Sequence, residues 1–452
     1  MHYVSDLHLH SKYSRAVSQN MILPIMAQFA QQKGIDILTA SDFTHPLWFR
    51  EIQSLLDETG SGIYKLKGNT PSASWRTLFL LSTEIASIYK QGDKLRRIHN
   101  LVFVPSFKVA EKLNKELVSR GCNLNADGRP IIGLSSKNLL ELILSIDDRA
   151  FLIPCHIWTP HFGIYGSASG FDSLEESFEE LSKYIYGIET GLSSDPEMNW
   201  QVDELKHRTI LSFSDAHSPA KMGREATVFD LEKPTYENVR HAIMRLSNKS
   251  AEDRGDKIAY TIEFYPEEGK YHFSGHRNCK VVVGPEEIKK SGGACPVCKR
   301  RLTEGVLFRV QQLSDKRLQN RLSEKKNTQG LKWYTDSMRI QPPYVKLVPL
   351  LEIVAEGLNS TVASQKVKDI YNKLCQELTS EINILLKAPI PEITAVAGAR
   401  VAEAVEKVRE GNIAIDPGYD GEYGKVKIWN EEKETEEIVG AEETETQLGL
   451  DI

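Results

Sequence analysis

Six short apolar runs in the first half of the chain each carry, or lead straight into, side chains of the kind that bind metal ions. VSDLHLH holds His8 and His10, DILTASD and the FTH after it hold Asp42 and His45, LFLLSTE holds Glu84, IHNLVFV holds His99, AFLIPCHI holds His156, and TILSFSDAH holds Asp215 and His217. Apolar runs of roughly 4 to 8 residues with polar groups at one end read as buried strands. Alternation of such runs with helical signals predicts parallel strands joined by helical crossovers, closed into a barrel whose chemistry sits at the C-terminal mouth. Imidazole nitrogens and carboxylate oxygens gathered there suit Zn, Mn, Fe or Mg, and clustered acids bridge neighbouring ions. A single histidine of this set reads as an ordinary core or surface residue. An HxH and a DxH pair at strand ends, taken with the others, predict a multinuclear site of two or three divalent ions.

A chain of 452 residues exceeds one ordinary core and predicts two to four domains. The net charge of -6 speaks against a nucleic-acid partner only if it is evenly spread. It is not: Ile288 to Ile340 holds thirteen Lys or Arg against four acids, and the stretch from Glu431 to Glu445 reverses the balance. No apolar run approaches the roughly 18 residues of a membrane helix, and ligand-type residues occupy the place of a signal peptide, so a cytoplasmic protein with no membrane partner is expected. Cys122, Cys155 and Cys375 read as unpaired thiols.

The barrel is expected over residues 1–246, followed by the charged linker SNKSAEDRGDK. Residues 258–310 read as a small zinc-ribbon module, because HRNC and CPVC place His276, Cys279, Cys295 and Cys298 in two knuckles of two-residue spacing, which suits one structural Zn. His272 competes with His276 but spoils the knuckle spacing. Lys289, Lys290, Lys299, Arg300 and Arg301 beside the knuckles face DNA phosphates or form a plain solvated surface. Residues 311–430 read as mostly α-helical. Within them ITAVAGARVAEAVEKVREG predicts two helices turning at Gly398, a helix-hairpin-helix-like element for gripping the DNA backbone or an ordinary helix pair. Residues 431–452 form an acidic tail that reads as disordered, and its Gln447, Leu448 and Leu450 resemble a short peptide for docking on the sliding clamp.

The motifs DLHLHSKYSRA, SDFTHP, CHIWTPHFGIYGSASGFDS and SDAHS, with Glu84 and His99 on their own strands, resemble the PHP (polymerase and histidinol phosphatase) superfamily. Adding HRNC/CPVC, TEGVLFRV and PGYDGEYGKVKIW, the order of modules over roughly residues 1 to 430 resembles the endonuclease Q family. That resemblance implies an α/β fold, a distorted β/α barrel of PHP type with a trinuclear site. It also implies cleavage of a DNA strand 5′ of uracil, hypoxanthine, xanthine or an abasic site, leaving 3′-hydroxyl and 5′-phosphate ends. Position by position, His8 and His10 would hold one ion with Glu84 and Asp215. Glu84 would bridge to a second ion on His99 and His156, and His45, His217 and Asp42 would serve a third. Asp215, His217 and Glu84 are the expected catalytic residues. The sequence departs from the superfamily where Phe43 follows Asp42 and where Ala16 stands in place of a further ligand.

A deaminated base hides its distinguishing carbonyl inside the duplex, so it must be extruded to be read. The loop IWTPHFGIYGSASGF offers Trp158, Phe162 and Tyr165 as stacking faces and Gly166, Ser167 and Ser169 as donors; the alternative is a glycine-rich loop with its aromatics packed inward. Two other functions stay open at this point: a phosphoesterase for a small phosphorylated metabolite, and a non-catalytic DNA-binding scaffold. A monomer is expected.

Overall fold

The computed structural model describes residues 1–68, 76–245 and 255–429. Most of the expected linker, and the whole of the acidic tail with Gln447, Leu448 and Leu450, lie outside the described residues.

Strand His2–Asp6 runs parallel to Ile37–Ala40, which runs parallel to the start of the long strand Leu78–Gln91. That strand turns through Gly92 and Asp93 into Lys94–Val104, antiparallel to it, with Glu84 opposite Leu101 and Ala86 opposite His99. Lys94–Val104 in turn pairs antiparallel with Phe151–Pro154. Beyond it the Ile157 N–H donates to the Glu189 carbonyl, Gly187–Glu189 pairs parallel with Thr209–Leu211, and the His10 N–H returns the circuit to its start at the Ala216 carbonyl. The ring therefore closes, but not with parallel strands throughout. A two-residue turn leaves no room for a helical crossover, so the segments carrying Glu84 and His99 form one hairpin, and both side chains sit within strands rather than at their ends.

On the far side of His2–Asp6 the sheet continues through Ala226–Asp230, Lys257–Glu263, Tyr344–Lys346, Lys332–Asp336 and Leu322–Lys326. Lys257–Glu263, placed with the ribbon by the sequence reading, thus belongs to the central sheet, and the part expected to be mostly helical opens with three strands. The helical period read in VQQLSDKRLQNRL ends early: the helix Val306–Leu313 stops, and the Asp315 carboxylate accepts the Arg317 N–H, diverting the backbone from helical bonding.

Helices Leu350–Gly357, Gln365–Glu377, Glu381–Leu386, Ile390–Ala397 and Ala399–Glu410 make up the rest, closed by a hairpin of Ala414–Asp416 with Lys425–Lys427. They dock on the first helix, Leu23–Lys33, through a buried ion pair of Lys33 Nζ with Glu381 Oε2 at 2.7 Å; the same carboxylate accepts from Tyr371 Oη and the Leu350 N–H. Paired with a cation and bonded through both oxygens, this buried carboxylate avoids the penalty of an unpaired charge. The molecule is a mixed α/β arrangement with a large central sheet and a helical C-terminal part. Among the described residues, no helix is long and apolar enough to cross a membrane.

Candidate metal centre and the cleft above it

Seven of the nine ligand-type residues converge. His8, His10 and Glu84 bring one ligand atom each within 4.8 Å of one another, as do Glu84, His99 and His156, and as do His10, Asp215 and His217. Glu84, 1% exposed, lies at the centre: its Oε2 is 3.2 Å from His10 Nε2, and its Oε1 is 3.2 Å from His156 Nε2 and in contact with His99 Nδ1. His8 Nε2 faces Glu84 and Asp215 at 3.8 and 3.7 Å, too far for hydrogen bonds, and has no other partner. A buried nitrogen left unpaired at that distance from two carboxylates is what a cation between them would satisfy, since metal bonds of about 2.1 Å put ligand atoms well over 3 Å apart. The donor set therefore fits divalent ions. His10 Nδ1 is turned to Asp42 Oδ1 at 3.3 Å, so only Nε2 faces the site, and the two groups that include His10 draw on that one nitrogen. A third ion would have only Asp215 and His217 to itself.

Asp42 and His45 stand apart. Among the described residues neither joins a converging group. The Asp42 carboxylate accepts from the Ser11 N–H at 2.6 Å and the Ser14 hydroxyl at 2.8 Å while orienting His10 from behind. His45 caps the helix Pro46–Leu55 and stacks on Tyr13. Both were expected to ligate because DFTH reads like a ligand motif; capping and imidazole orientation use the same residue types. Glu189, not singled out in the sequence, plays the matching part for the other imidazole. Its Oε1 is 2.8 Å from His8 Nδ1, and its Oε2 accepts the His156 N–H at 2.8 Å. Its only sequence signal is an acid at the end of the apolar run YIYGIE.

Burial alone would lower the imidazole pKa values, yet the carboxylates around His8 (Glu189, then Asp215) and around His10 (Asp215, then Asp42) hold both well above the ordinary range. Against the same burial penalty, neighbouring His and Arg cations hold Glu84 and Asp215 well below the usual carboxylate range. Strong stabilisation of positive charge is the electrostatic counterpart of the donor geometry. Asp42, His156 and Asp215 all take positive φ, a backbone strain concentrated at the site.

The cluster lies on the floor of a cleft of about 1460 Å³, lined by Arg15, Arg129, Lys221, Arg224, Lys270, Lys425 and Lys427 among others, and walled opposite by Asn359–Val362 and the C-terminal hairpin. Trp158 borders the cleft but is 1% exposed, its indole N–H donating to Asn199 Oδ1 at 2.8 Å, whereas Phe162, half-buried and ring to ring with His99 at 4.5 Å, and Thr159 reach its edge. The rest of the expected base pocket does not. Tyr165 is fully buried, stacked on Trp158 and bonded to Glu204 at 2.7 Å; the Ser167 hydroxyl donates to the Glu304 carbonyl, and Ser169 to those of His161 and Arg97. A Cβ on Gly163, Gly166 or Gly170 would stand within 2.4 Å of the loop's own backbone, so the glycines serve to coil the loop upon itself. The inward-packed alternative describes Trp158, Tyr165, Gly166, Ser167 and Ser169.

His276, Cys279, Cys295 and Cys298 bring their ligand atoms within 4.8 Å of one another, as four donors around one Zn require. Lys280 and Lys299, each just after the second ligand of its knuckle, both take positive φ, so the two turns repeat one backbone shape. His272 points elsewhere, to the Ser193 carbonyl. Lys289, Lys290, Arg300 and Arg301 are exposed around these turns, as is Gly398 between its two helices, and none of the five lines the cleft.

The family model of the MJ0043 C-terminal domain matches residues 349–412. The MJ0043 protein of Methanocaldococcus jannaschii is 29% identical over 278 residues, 60% of this chain, and the matched part spans 31% of that longer relative. The crystal structure of the lesion-specific endonuclease PfuEndoQ from Pyrococcus furiosus is similar with a TM-score of 0.77 at 29% identity, covering 95% of this chain and 96% of that one. That of an endonuclease Q in complex with a 27-mer duplex substrate, an abasic lesion at its active site, gives 0.79 at 30% identity, covering 95% and 98%. With almost all of both chains matched, this chain belongs to the endonuclease Q family.

Proposed function

We propose that this DNA endonuclease nicks the strand on the 5′ side of a deaminated base (uracil, hypoxanthine or xanthine) or an abasic site, leaving 3′-hydroxyl and 5′-phosphate ends. The observation that carries this is the meeting of three donor groups on the floor of a cleft rimmed with Lys and Arg, in a family whose relative was crystallised with abasic duplex DNA. Ions held by His8, His10, Glu84 and Asp215 and by Glu84, His99 and His156 would activate a water and neutralise charge on the phosphate. Sharing Glu84 would keep the two positions adjacent. Glu189 and Asp42 fix the His8 and His10 rings from behind, which keeps one nitrogen of each aimed at the cleft. His217 donates through Nδ1 to the Asp215 carbonyl at 2.9 Å, leaving Nε2 unprotonated to hold a third ion or orient the water.

Phe162 at the cleft edge offers a stacking surface for an extruded nucleotide. The four-ligand knuckle site takes a structural Zn, and the cations around it, with the helix start after Gly398, contact backbone phosphates away from the cut. A monomer suffices, since one chain supplies both walls of the cleft. A cleft this large exceeds the roughly 300 to 1,000 Å³ typical of small-molecule sites, which disfavours a metabolite phosphoesterase. Nicking of duplexes with a single uracil, hypoxanthine or abasic site, beside undamaged DNA and p-nitrophenyl phosphate, tests the proposal. Cuts on the 3′ side, or turnover of the small ester alone, would overturn it.

A further inference from the structure

We propose that Arg129 is a catalytic residue whose guanidinium grips the non-bridging oxygens of the phosphate being cut; this rests on the nuclease reading above and adds to it. Arg129 Nη1 lies 3.2 Å from Glu84 Oε2, the carboxylate at the centre of the donor groups, and its side chain, 24% exposed, lines the cleft together with His99, His156 and Asp215. Glu84 is the one hydrogen-bond acceptor of that guanidinium among the described residues. A guanidinium has five N–H donors in a planar fork, so most of them remain for an anion in the cleft.

The backbone that presents it is pinned. The Gly128 N–H donates to the Tyr13 carbonyl at 3.1 Å, the Thr44 hydroxyl to the Gly128 carbonyl at 3.3 Å, and the Arg129 N–H to Asp127 Oδ1 at 3.1 Å. A Cβ on Gly128 would stand 2.4 Å from Ser14 Oγ and 2.6 Å from Asp42 Oδ2, so only glycine lets this segment press down over the corner that holds Asp42. That is the corner where Phe43 and Ala16 depart from the superfamily pattern.

Ions held on Glu84 would repel a permanent cation beside them while the cleft is empty, and Glu84 already has His10, His99 and His156 to fix it. An anion entering the cleft would offset that repulsion and use the remaining donors. During hydrolysis the water oxygen bonds to phosphorus, the bond from phosphorus to the 3′ oxygen breaks, and that oxygen leaves with a proton from the water. Negative charge on the phosphoryl oxygens is greatest midway, where a bidentate guanidinium stabilises it and takes no proton.

The test compares wild type with Arg129→Ala and Arg129→Lys in single-turnover nicking of an abasic duplex, with metal content measured in each. Arg129→Ala should keep its metal and slow by about 100- to 1,000-fold, the loss seen when one preorganised donor is removed, while Arg129→Lys recovers part of it. Added guanidinium should restore part of the rate of Arg129→Ala, and discrimination between the two phosphorothioate isomers at the cut phosphate should shrink in that variant. Loss of metal from Arg129→Ala, or unchanged isomer discrimination without guanidinium rescue, would make Arg129 a mere support for Glu84 and overturn the proposal. A wild type that fails to nick any lesion takes down the nuclease reading itself; a wild type that nicks, with Arg129→Ala at the same rate, takes down Arg129 alone.

Discussion

Behind each histidine of the HxH pair stands a carboxylate that sets the direction of its ring. Glu189 faces His8 and Asp42 faces His10, both almost fully buried. Glu189→Gln or Asp42→Ala should weaken metal binding by about 10- to 100-fold, read by competition with a chelator, and unchanged affinity would remove the orienting role. A further carboxyl on the cleft wall links fold to pH. Burial, then Glu352 and Glu267, push Glu268 up to about 9 against the pull of Lys221 and Arg224. The folded state thus keeps a proton that the unfolded chain releases near pH 4.3, and the stability this adds is full below that value and lost as pH rises toward 9. Urea unfolding should show a smaller loss between pH 5 and pH 9 in Glu268→Gln than in wild type; equal losses would exclude this group. At this scale the donors were legible because HxH and DxH are local patterns. Glu189 and Arg129 were not, since each meets its partner only through folding: His8 and Glu189 are 181 positions apart, Arg129 and Glu84 are 45.

Among the elements, the knuckles and the helix pair Ile390–Ala397 and Ala399–Glu410 follow the sequence closely, because two-residue spacing and helical period are short-range signals. The hairpin Leu78–Gln91/Lys94–Val104 does not. The LFLL and LVFV parts of its strands are apolar on both faces, a pattern that buried parallel strands share, and the tight turn at Gly92 alone distinguishes the two. The loop from Ile157 to Phe171 misleads for another reason, since aromatics with glycines suit a ligand pocket and a self-packed coil equally. Tyr165→Ala should therefore cost about 3 to 5 kcal/mol of stability, the range for emptying a large aromatic site, and leave the ratio of nicking rates between lesions unchanged. Altered ratios at full stability would return Tyr165 to the pocket. Calorimetry and the lesion panel read the two outcomes separately.

For the whole molecule, an overall excess of acids coexists with a cationic cleft, because Lys270, Lys425 and Lys427 meet Arg15, Arg129 and Arg224 only in three dimensions. Binding there should be strongly salt-dependent. Changing both Lys425 and Lys427 to Gln should flatten the plot of log affinity against log salt by up to about 1.8, near 0.9 for each phosphate that is no longer neutralised; an unchanged slope would place the DNA elsewhere. Cleft residues run from Arg15 to Lys427, and the central sheet takes strands from His2–Asp6 through to Tyr344–Lys346. A ribosome must therefore deliver the polypeptide as far as Lys427 before the cutting chamber exists at all, so a nascent chain that stops short of it carries the donors of a nuclease but has no chamber in which to hold a genome's strand.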